Sequence, residues 1–397
     1  MSKDTLSDHG LLEEAEPKAT ATTKRAAAHS SYSSYSSYSS YYSTIAGVGF
    51  YVPERCVPNA ELSQYMDTTD AWIRERSGIE QRYVAAAEQS TSDLAVEACK
   101  QALQSAAVPA SEVDAVLAAT LSPDYYFPGI AVQIQHKLGL RNVAGIDIRG
   151  QCSGFTWALA TADAYIRAGF YKKILVCGAE IHSKLIEFSN RGRDVSVLFG
   201  DAAGAVLVER GSGAFMQDGE EAVLTEGELL NARPTVENNL RGLIDHEMGS
   251  DGAHAELLAM KRPGTAAGQE RFVLPEDIAS GACLPYMEGR QVFKHAVQRM
   301  HEVTAILLQR HNLMPQDLDL VIPHQANLRI NEMLRHKLEL PPEKVFNCIQ
   351  RYGNTTAATL PIGMAEAVAA GRLRKGALVL TVAFGAGFTW GANLLRW

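Results

Sequence analysis

The stretch Val143-Ala144-Gly145-Ile146-Asp147-Ile148-Arg149-Gly150-Gln151-Cys152-Ser153-Gly154-Phe155-Thr156-Trp157 decides how this chain folds. A short β-rich run, Val143 to Ile148, leads into Cys152, and a helix-like run, Phe155 to Ala168, leads away from it. A cysteine at such a strand-to-helix junction meets free backbone N–H groups and the positive end of the helix macrodipole. That potential predicts a stabilised thiolate, the nucleophilic form. A cysteine taken alone is more often a small buried hydrophobe, so the rest of the chain has to decide.

Working outward, strands and helices alternate. The pattern predicts strands at Val113 to Ala119, Ala144 to Ile148, Lys173 to Cys177 and Ala203 to Val208, with helices at Ile130 to Lys137 and Phe155 to Ala168. This is an α/β pattern. The N-terminal half spans 44–212. Residues 213–275, rich in Gly, Glu, Asn and Pro, read as an insertion or crossover, and the second half, 276–397, reopens with a long amphipathic helix from Tyr286 to His311.

The second half echoes the first. Asp114-Ala115-Val116-Leu117-Ala118 reappears as Asp319-Leu320-Val321-Ile322-Pro323, and His136-Lys137-Leu138-Gly139-Leu140 as His336-Lys337-Leu338-Glu339-Leu340. Ile166-Arg167-Ala168-Gly169 matches Val368-Ala369-Ala370-Gly371, and two apolar strands follow. The order of the matches along the chain marks an internal repeat. The interval that separates Gly169 from Gly371 carries Cys152 onto Asn354, in Tyr352-Gly353-Asn354-Thr355-Thr356, which predicts the same strand-to-helix junction there. His324 ends another strand, in Val321-Ile322-Pro323-His324-Gln325-Ala326-Asn327. Polar groups at strand ends of a duplicated α/β fold are expected to converge in one cleft.

Composition narrows the classes. A net charge of −8 and a pI near 5.8, with no basic, aromatic-interleaved stripe, argue against nucleic-acid binding. The six cysteines (56, 99, 152, 177, 283 and 348) form no C-x-x-C pair, so neither a metal site nor a disulfide framework is expected. No apolar run reaches the ~18 residues a membrane span needs. The N-terminus lacks a signal-peptide core, and a cytoplasmic protein is expected. Residues 1–43, with a Ser-Ser-Tyr repeat through Tyr32, Tyr35, Tyr38 and Tyr41, read as a disordered tail.

Cys152, His324 and Asn354 together suggest a limited chemistry. A cysteine accepts an acyl group from a thioester in a nearly isoenergetic exchange. A histidine N–H and an asparagine N–H aimed at one spot stabilise an oxyanion or enolate. Without a carboxylate base, a carbanion is best generated by decarboxylation. Each residue alone reads as structural, Asn354 as a turn or cap; their joint placement points to acyl transfer followed by decarboxylative condensation.

These residues resemble the β-ketoacyl-acyl-carrier-protein synthase III family of the thiolase superfamily. The likeness runs over about residues 45–397 and rests on six ordered strings. They are Thr69-Asp70-Ala71-Trp72-Ile73-Arg74-Glu75-Arg76-Ser77-Gly78-Ile79, Cys152-Ser153-Gly154-Phe155, Leu198-Phe199-Gly200-Asp201, Pro323-His324-Gln325-Ala326-Asn327-Leu328-Arg329-Ile330, Gly353-Asn354-Thr355 and Ala383-Phe384-Gly385-Ala386-Gly387-Phe388-Thr389-Trp390-Gly391. The resemblance implies a thiolase-like five-layered αβαβα fold of two pseudo-repeat halves, and a homodimer. It implies that acetyl-CoA or a longer acyl-CoA loads Cys152, and that malonyl-acyl carrier protein then condenses with loss of CO2, beginning fatty-acid synthesis. It makes Cys152 the nucleophile, His324 and Asn354 the decarboxylation pair, and the backbone N–H groups of Cys152 and Ala386 the oxyanion hole. Trp72, Arg76, Arg191 and Arg329 are implied to hold the CoA nucleotide, by stacking and guanidinium–phosphate contacts. Arg74 and Arg82 read as solvated surface charges. Phe127 is implied to reach across the dimer into the partner's acyl pocket. No cofactor is expected, since acyl-CoA is a substrate.

Departures from the family pattern bear on specificity. Ala202 and Ala386 stand where glycine is usual, Ser122 to Tyr126 is bulky, and 211–275 is long. A synthase III-like enzyme of specialised metabolism, using another acceptor, fits the same residues. A non-catalytic acyl-binding subunit fits less well, because the Cys-His-Asn set is intact.

Overall fold

A computed structural model describes residues 41–217, 220–225, 228 and 232–397. The expected tail therefore lies, up to residue 40, outside the described residues. Strands β1 (Ser43–Tyr51), β2 (Arg55–Pro58), β3 (Gln81–Val84), β4 (Ala115–Ala119), β5 (Ala144–Ile148), β6 (Lys173–Glu180) and β7 (Ala202–Arg210) belong to the first half. After a hairpin of β8 (Ala214–Gln217) and β9 (Glu220–Val223) come β10 (Gly242–Ser250), β11 (Leu258–Ala259), β12 (Tyr286–Met287), β13 (Leu320–Pro323), β14 (Leu378–Gly385) and β15 (Thr389–Arg396).

Two sheets organise the molecule. The first has the order β1-β7-β6-β4-β5 and the second the order β10-β15-β14-β13. In each, the first two pairings are antiparallel, β1-β7-β6 and β10-β15-β14, and the remaining ones, β6-β4-β5 and β14-β13, are parallel. The register of β1 shifts between Ile45 and Gly47, and that of β10 between Leu243 and Asp245, so even the irregularity is repeated. A fifth strand in the second sheet is reduced to a single bridge, Val321 to Val345.

The layers follow from alternation along strands buried on both faces. In β6, Ile174 and Val176 face one core, while Leu175, Cys177 and Ala179 face another. The shared central core packs both sheets against the helices Gly154–Arg167 and Thr359–Ala369, through Phe155, Leu159, Leu360 and Met364. Helices Thr91–Ala106 and Ile130–Lys137 cover the outer face of the first sheet, and Gly289–Arg310 and Leu328–Lys337 that of the second. The helix Thr359–Ala369 is apolar almost all round, as a helix sandwiched between sheets must be. This is the five-layered αβαβα arrangement of two matching halves.

The second half opens earlier than its composition indicates. β10 lies inside the stretch 213–275 read as an insertion, yet it is the edge strand of the second sheet. Its successive polar residues Asp245, His246 and Glu247 disguise it. Asp245 and Glu247 pair with Arg310, and His246 with buried Asp163, so the strand keeps its charges without leaving the sheet. The long helix predicted from Tyr286 starts at Gly289, because Tyr286 and Met287 pair with β11.

Candidate active site

Cys152 lies between β5 and the helix Gly154–Arg167, in a single 3-10 turn, Gln151–Ser153. Gln151 opens that turn at φ +46°, a left-handed conformation that non-glycine residues rarely adopt and that marks functional sites. The turn leans on the end of β14. A Cβ on Gly385 would stand 2.7 Å from the Cys152 Cβ and 2.9 Å from its nitrogen, so only glycine permits this approach. Ser153 Oγ lies 2.8 Å from Thr389 Oγ1 and donates to the Gly150 carbonyl, and Thr389 in turn bonds the Ala386 carbonyl. The backbone N–H groups of Ala386 and Cys152 both favour charge on the Cys152 sulfur.

The thiol differs from the expected thiolate. Burial first, and the Glu180 carboxylate second, push the Cys152 thiol up to about 12, and the two N–H donors offset this only in part. Glu180 is fully buried and accepts from Thr120, Leu121 and Ser122; burial raises it to about 8 against those bonds. Cys152 does stand just ahead of the helix start, but desolvation dominates. At rest Cys152 is a thiol.

His324 follows β13 directly, and its N–H bonds the Val382 carbonyl on β14. Its ring is buried, and burial lowers it to about 3, so the imidazole is neutral. Nδ1 lies 2.7 Å from Thr359 Oγ1, and that hydroxyl donates to the Thr356 carbonyl at 2.9 Å. The hydroxyl's one proton is thus committed, so Nδ1 carries the ring proton and Nε2 holds a lone pair. Nε2 is buried without a partner among the described residues. In this tautomer Nε2 is an acceptor, where an N–H donor was expected; rotating the Thr359 hydroxyl onto Nδ1 supports the other tautomer.

Asn354 is not at the expected junction. It follows the short helix Ile349–Tyr352 and forms a parallel bridge with Phe199. Its Oδ1 accepts from the Thr356 N–H at 2.9 Å, which leaves Nδ2 as the group free to donate. The true counterpart of the Cys152 turn is Thr356–Ala358, which Thr356 opens at φ +49° ahead of the helix Thr359–Ala369. The interval between the helix starts Gly154 and Thr359 carries Cys152 onto Ala357. The helix in the second half is shorter, so sequence matching at its far end misplaced the register by one turn.

The nucleotide-binding set is only partly assembled. The Arg76 guanidinium lies 4.3 Å from the centre of the Trp72 ring, and Arg193, which the sequence reading missed, lies 5.3 Å from it. Arg329 sits exposed in the first turn of the helix Leu328–Lys337, whose cap Asn327 donates to the Arg76 carbonyl. Arg191 instead pairs with Glu187 and donates to the Ala279 carbonyl. The spacing Arg191-Gly192-Arg193 was the available signal for Arg193. Arg74 is an exposed partner of Asp70 and Glu80, as expected. Arg82 is not a surface charge. It is fully buried, donates to Asn59 Oδ1 and to the Val57 and Val197 carbonyls, and burial lowers it to about 10. Phe127 stands 80% exposed beside exposed Tyr125 and Tyr126, away from its own chain's core.

Comparison with known proteins agrees with this geometry. Residues 146–223 match the family model for 3-oxoacyl-[acyl-carrier-protein (ACP)] synthase III, and residues 308–397 match the model for its C-terminal part. The chain is 40% identical over 354 residues to a β-ketoacyl-[acyl-carrier-protein] synthase III of Granulibacter bethesdensis, covering 89% of this chain and 99% of that protein. Crystal structures of the synthase III enzymes of Aquifex aeolicus VF5 and Thermus thermophilus superpose with a TM-score of 0.75 each, at 36% and 38% identity. Both cover 89% of this chain, and 100% and 99% of theirs. At 40% identity over almost the whole length of the Granulibacter bethesdensis relative, and with the same duplicated five-layered fold, the chain belongs to the β-ketoacyl-acyl-carrier-protein synthase III family.

Proposed function

We propose that the protein takes an acyl group from an acyl-CoA onto Cys152 and condenses it with malonyl-acyl carrier protein, as a 3-oxoacyl-[acyl-carrier-protein] synthase III that starts fatty-acid chains. The observation that carries this is the packing of Gly385 against Cys152, beside which the Ala386 and Cys152 N–H groups both favour charge on the sulfur. An oxygen on an acyl carbon bonded to that sulfur falls within reach of the same donors, which makes an oxyanion hole.

In the first half-reaction sulfur attacks the thioester carbonyl, the Cys152 proton passes to the sulfur of CoA, and CoA leaves as the thiol. In the second, malonyl thioester loses CO2, and its enolate oxygen is held by Asn354 Nδ2 and by His324 Nε2 in the Nε2–H tautomer, in which the Thr359 hydroxyl donates to Nδ1. The enolate carbon attacks the acyl-enzyme, and Cys152 leaves and is reprotonated. A neutral histidine suits this role, since a fixed imidazolium would bind the malonyl carboxylate and oppose loss of CO2. These steps call for no cofactor.

Trp72, Arg76, Arg193 and Arg329 are proposed to hold the CoA nucleotide and phosphates, with Arg191 joining them once released from Glu187. A homodimer is supported by β5, an edge strand of the first sheet with β4 as its one paired neighbour, and by the exposed aromatic group that includes Phe127. All six cysteines are free thiols, in keeping with a reducing, cytoplasmic setting. No helix among the described residues is long and apolar enough to cross a membrane.

The test is intact-mass spectrometry after incubation with acyl-CoA thioesters of increasing chain length, followed by malonyl-carrier protein. An acyl adduct that maps to Cys152 and is discharged by malonyl-carrier protein is expected. Absence of an adduct with every chain length would overturn the reading.

A further inference from the structure

His182, two residues past β6, is a second buried histidine beside the site. Both ring nitrogens are occupied. Nδ1 lies 3.0 Å from the Gly200 carbonyl, which can only accept, so Nδ1 carries the proton. Nε2 is then an acceptor, and Thr356 Oγ1 donates to it at 2.5 Å. The ring also stacks on Phe199, with centres 4.5 Å apart. Burial lowers its basicity, in keeping with a neutral ring.

These bonds form a closed circuit around Asn354. The Gly200 N–H donates to the Asn354 carbonyl at 3.1 Å, and the Thr356 N–H to Asn354 Oδ1 at 2.9 Å. His182 joins the other ends, the Gly200 carbonyl on one side and the Thr356 hydroxyl on the other. Thr356 is the residue at φ +49°, a conformation disfavoured for a β-branched side chain unless something holds it. In that conformation its N–H faces Asn354 and its carbonyl receives the Thr359 hydroxyl that bonds His324.

We propose that His182 is a positioning residue for the decarboxylation step: by clamping Gly200 and Thr356 together it fixes the Asn354 amide and, through Thr359, the His324 ring. It acts through Thr356 rather than on substrate, because neither nitrogen is free. The inference rests on the roles proposed for His324 and Asn354.

Two substitutions separate the two arms of the clamp. His182→Asn retains a donor near the Nδ1 position for Gly200 but cannot reach Thr356. His182→Gln places an acceptor near the Nε2 position and keeps the Thr356 arm. Acyl loading of Cys152 and CO2 release from malonyl-carrier protein are measured separately. His182→Asn is expected to slow CO2 release by roughly 10- to 100-fold, the scale on which displaced groups lose rate, with loading within about two-fold of the parent. His182→Gln should recover most of the lost rate, and Thr356→Val, which removes only the hydroxyl, should reproduce the His182→Asn defect. The proposal is overturned if the Asn and Gln variants are equal, if Thr356→Val leaves CO2 release intact, or if loading falls in parallel. Asn354→Ala separates the two layers of argument. If it leaves CO2 release intact, the role of Asn354 falls and the clamp with it; if it abolishes release while His182→Asn does not, only the clamp falls.

Discussion

The turns Gln151–Ser153 and Thr356–Ala358 occupy the same place in the two halves, and they are put to different use. Each is opened by a residue with positive φ, each precedes a central helix, and each leans on a glycine of the other half's sheet. A Cβ on Gly385 would strike Cys152, and one on Gly178 would come within 2.2 Å of the Ala357 carbonyl. In the first half the middle of the turn is Cys152, the proposed nucleophile. In the second it is Ala357, and the residues proposed for decarboxylation lie on the flanks, Asn354 before the turn and His324 bonded to Thr359 behind it. The duplicated turn thus brings its backbone close against the opposite half in both places, with a different residue set on it in each.

The strongest way to break this division of labour is at the nucleophile. Cys152→Ser should lower condensation by roughly 10³-fold or more and remove the acyl adduct seen by mass spectrometry. Next in size, His324→Ala should slow CO2 release from malonyl-carrier protein by about 10²–10³-fold, the worth of one oxyanion-type partner, while loading falls far less. Equal loss of both steps would contradict the assignment of His324 to the second half-reaction.

The two glycines sharpen the comparison. Gly385→Ala displaces the Cys152 turn and should impair loading, whereas Gly178→Ala displaces the Thr356–Ala358 turn and should impair CO2 release first. Each should also cost about 1–3 kcal/mol of stability, read from denaturant midpoints, as overpacking does. If both variants lose both steps to the same degree, the turns do not act separately.

The smallest effect is on acid stability. An unfolded histidine titrates near ~6.5, but His324 in the fold stays neutral down to about 3. The unfolded chain binds the proton first, so stability is full above pH ~6.5 and falls as the pH drops toward 3. His324→Gln should therefore lose about 2 kcal/mol less than the parent between pH 7 and pH 5 in urea titrations. An identical slope in both proteins would show that the ring is not held neutral.

Much of this was legible in the sequence for local reasons. Apolar runs of strand length and a 3.6-residue period located β5 and the helix Ile130–Lys137 to the residue. Cys152 and His324 stand at strand ends, where their neighbours announce the junction. β10 was missed because its partners, Arg310 and Asp163, are 63 or more positions away along the chain or on another layer. Arg82 looked like a surface charge because its acceptors, Asn59, Val57 and Val197, assemble only on folding. His182 carried no motif at all; its place is set by Gly200 and Thr356, one from each half.

By itself the sequence determined the layered α/β fold and its duplication, and it singled out Cys152, His324 and Asn354 as candidates for the chemistry, because periodicity and junction residues are written in neighbouring positions. Tertiary structure alone decided the state of those residues. Burial makes Cys152 a resting thiol where its helix start predicted a thiolate, and burial also holds the His324 ring neutral. Such properties depend on desolvation and on bonds between distant segments, and both exist only when the two halves close on each other.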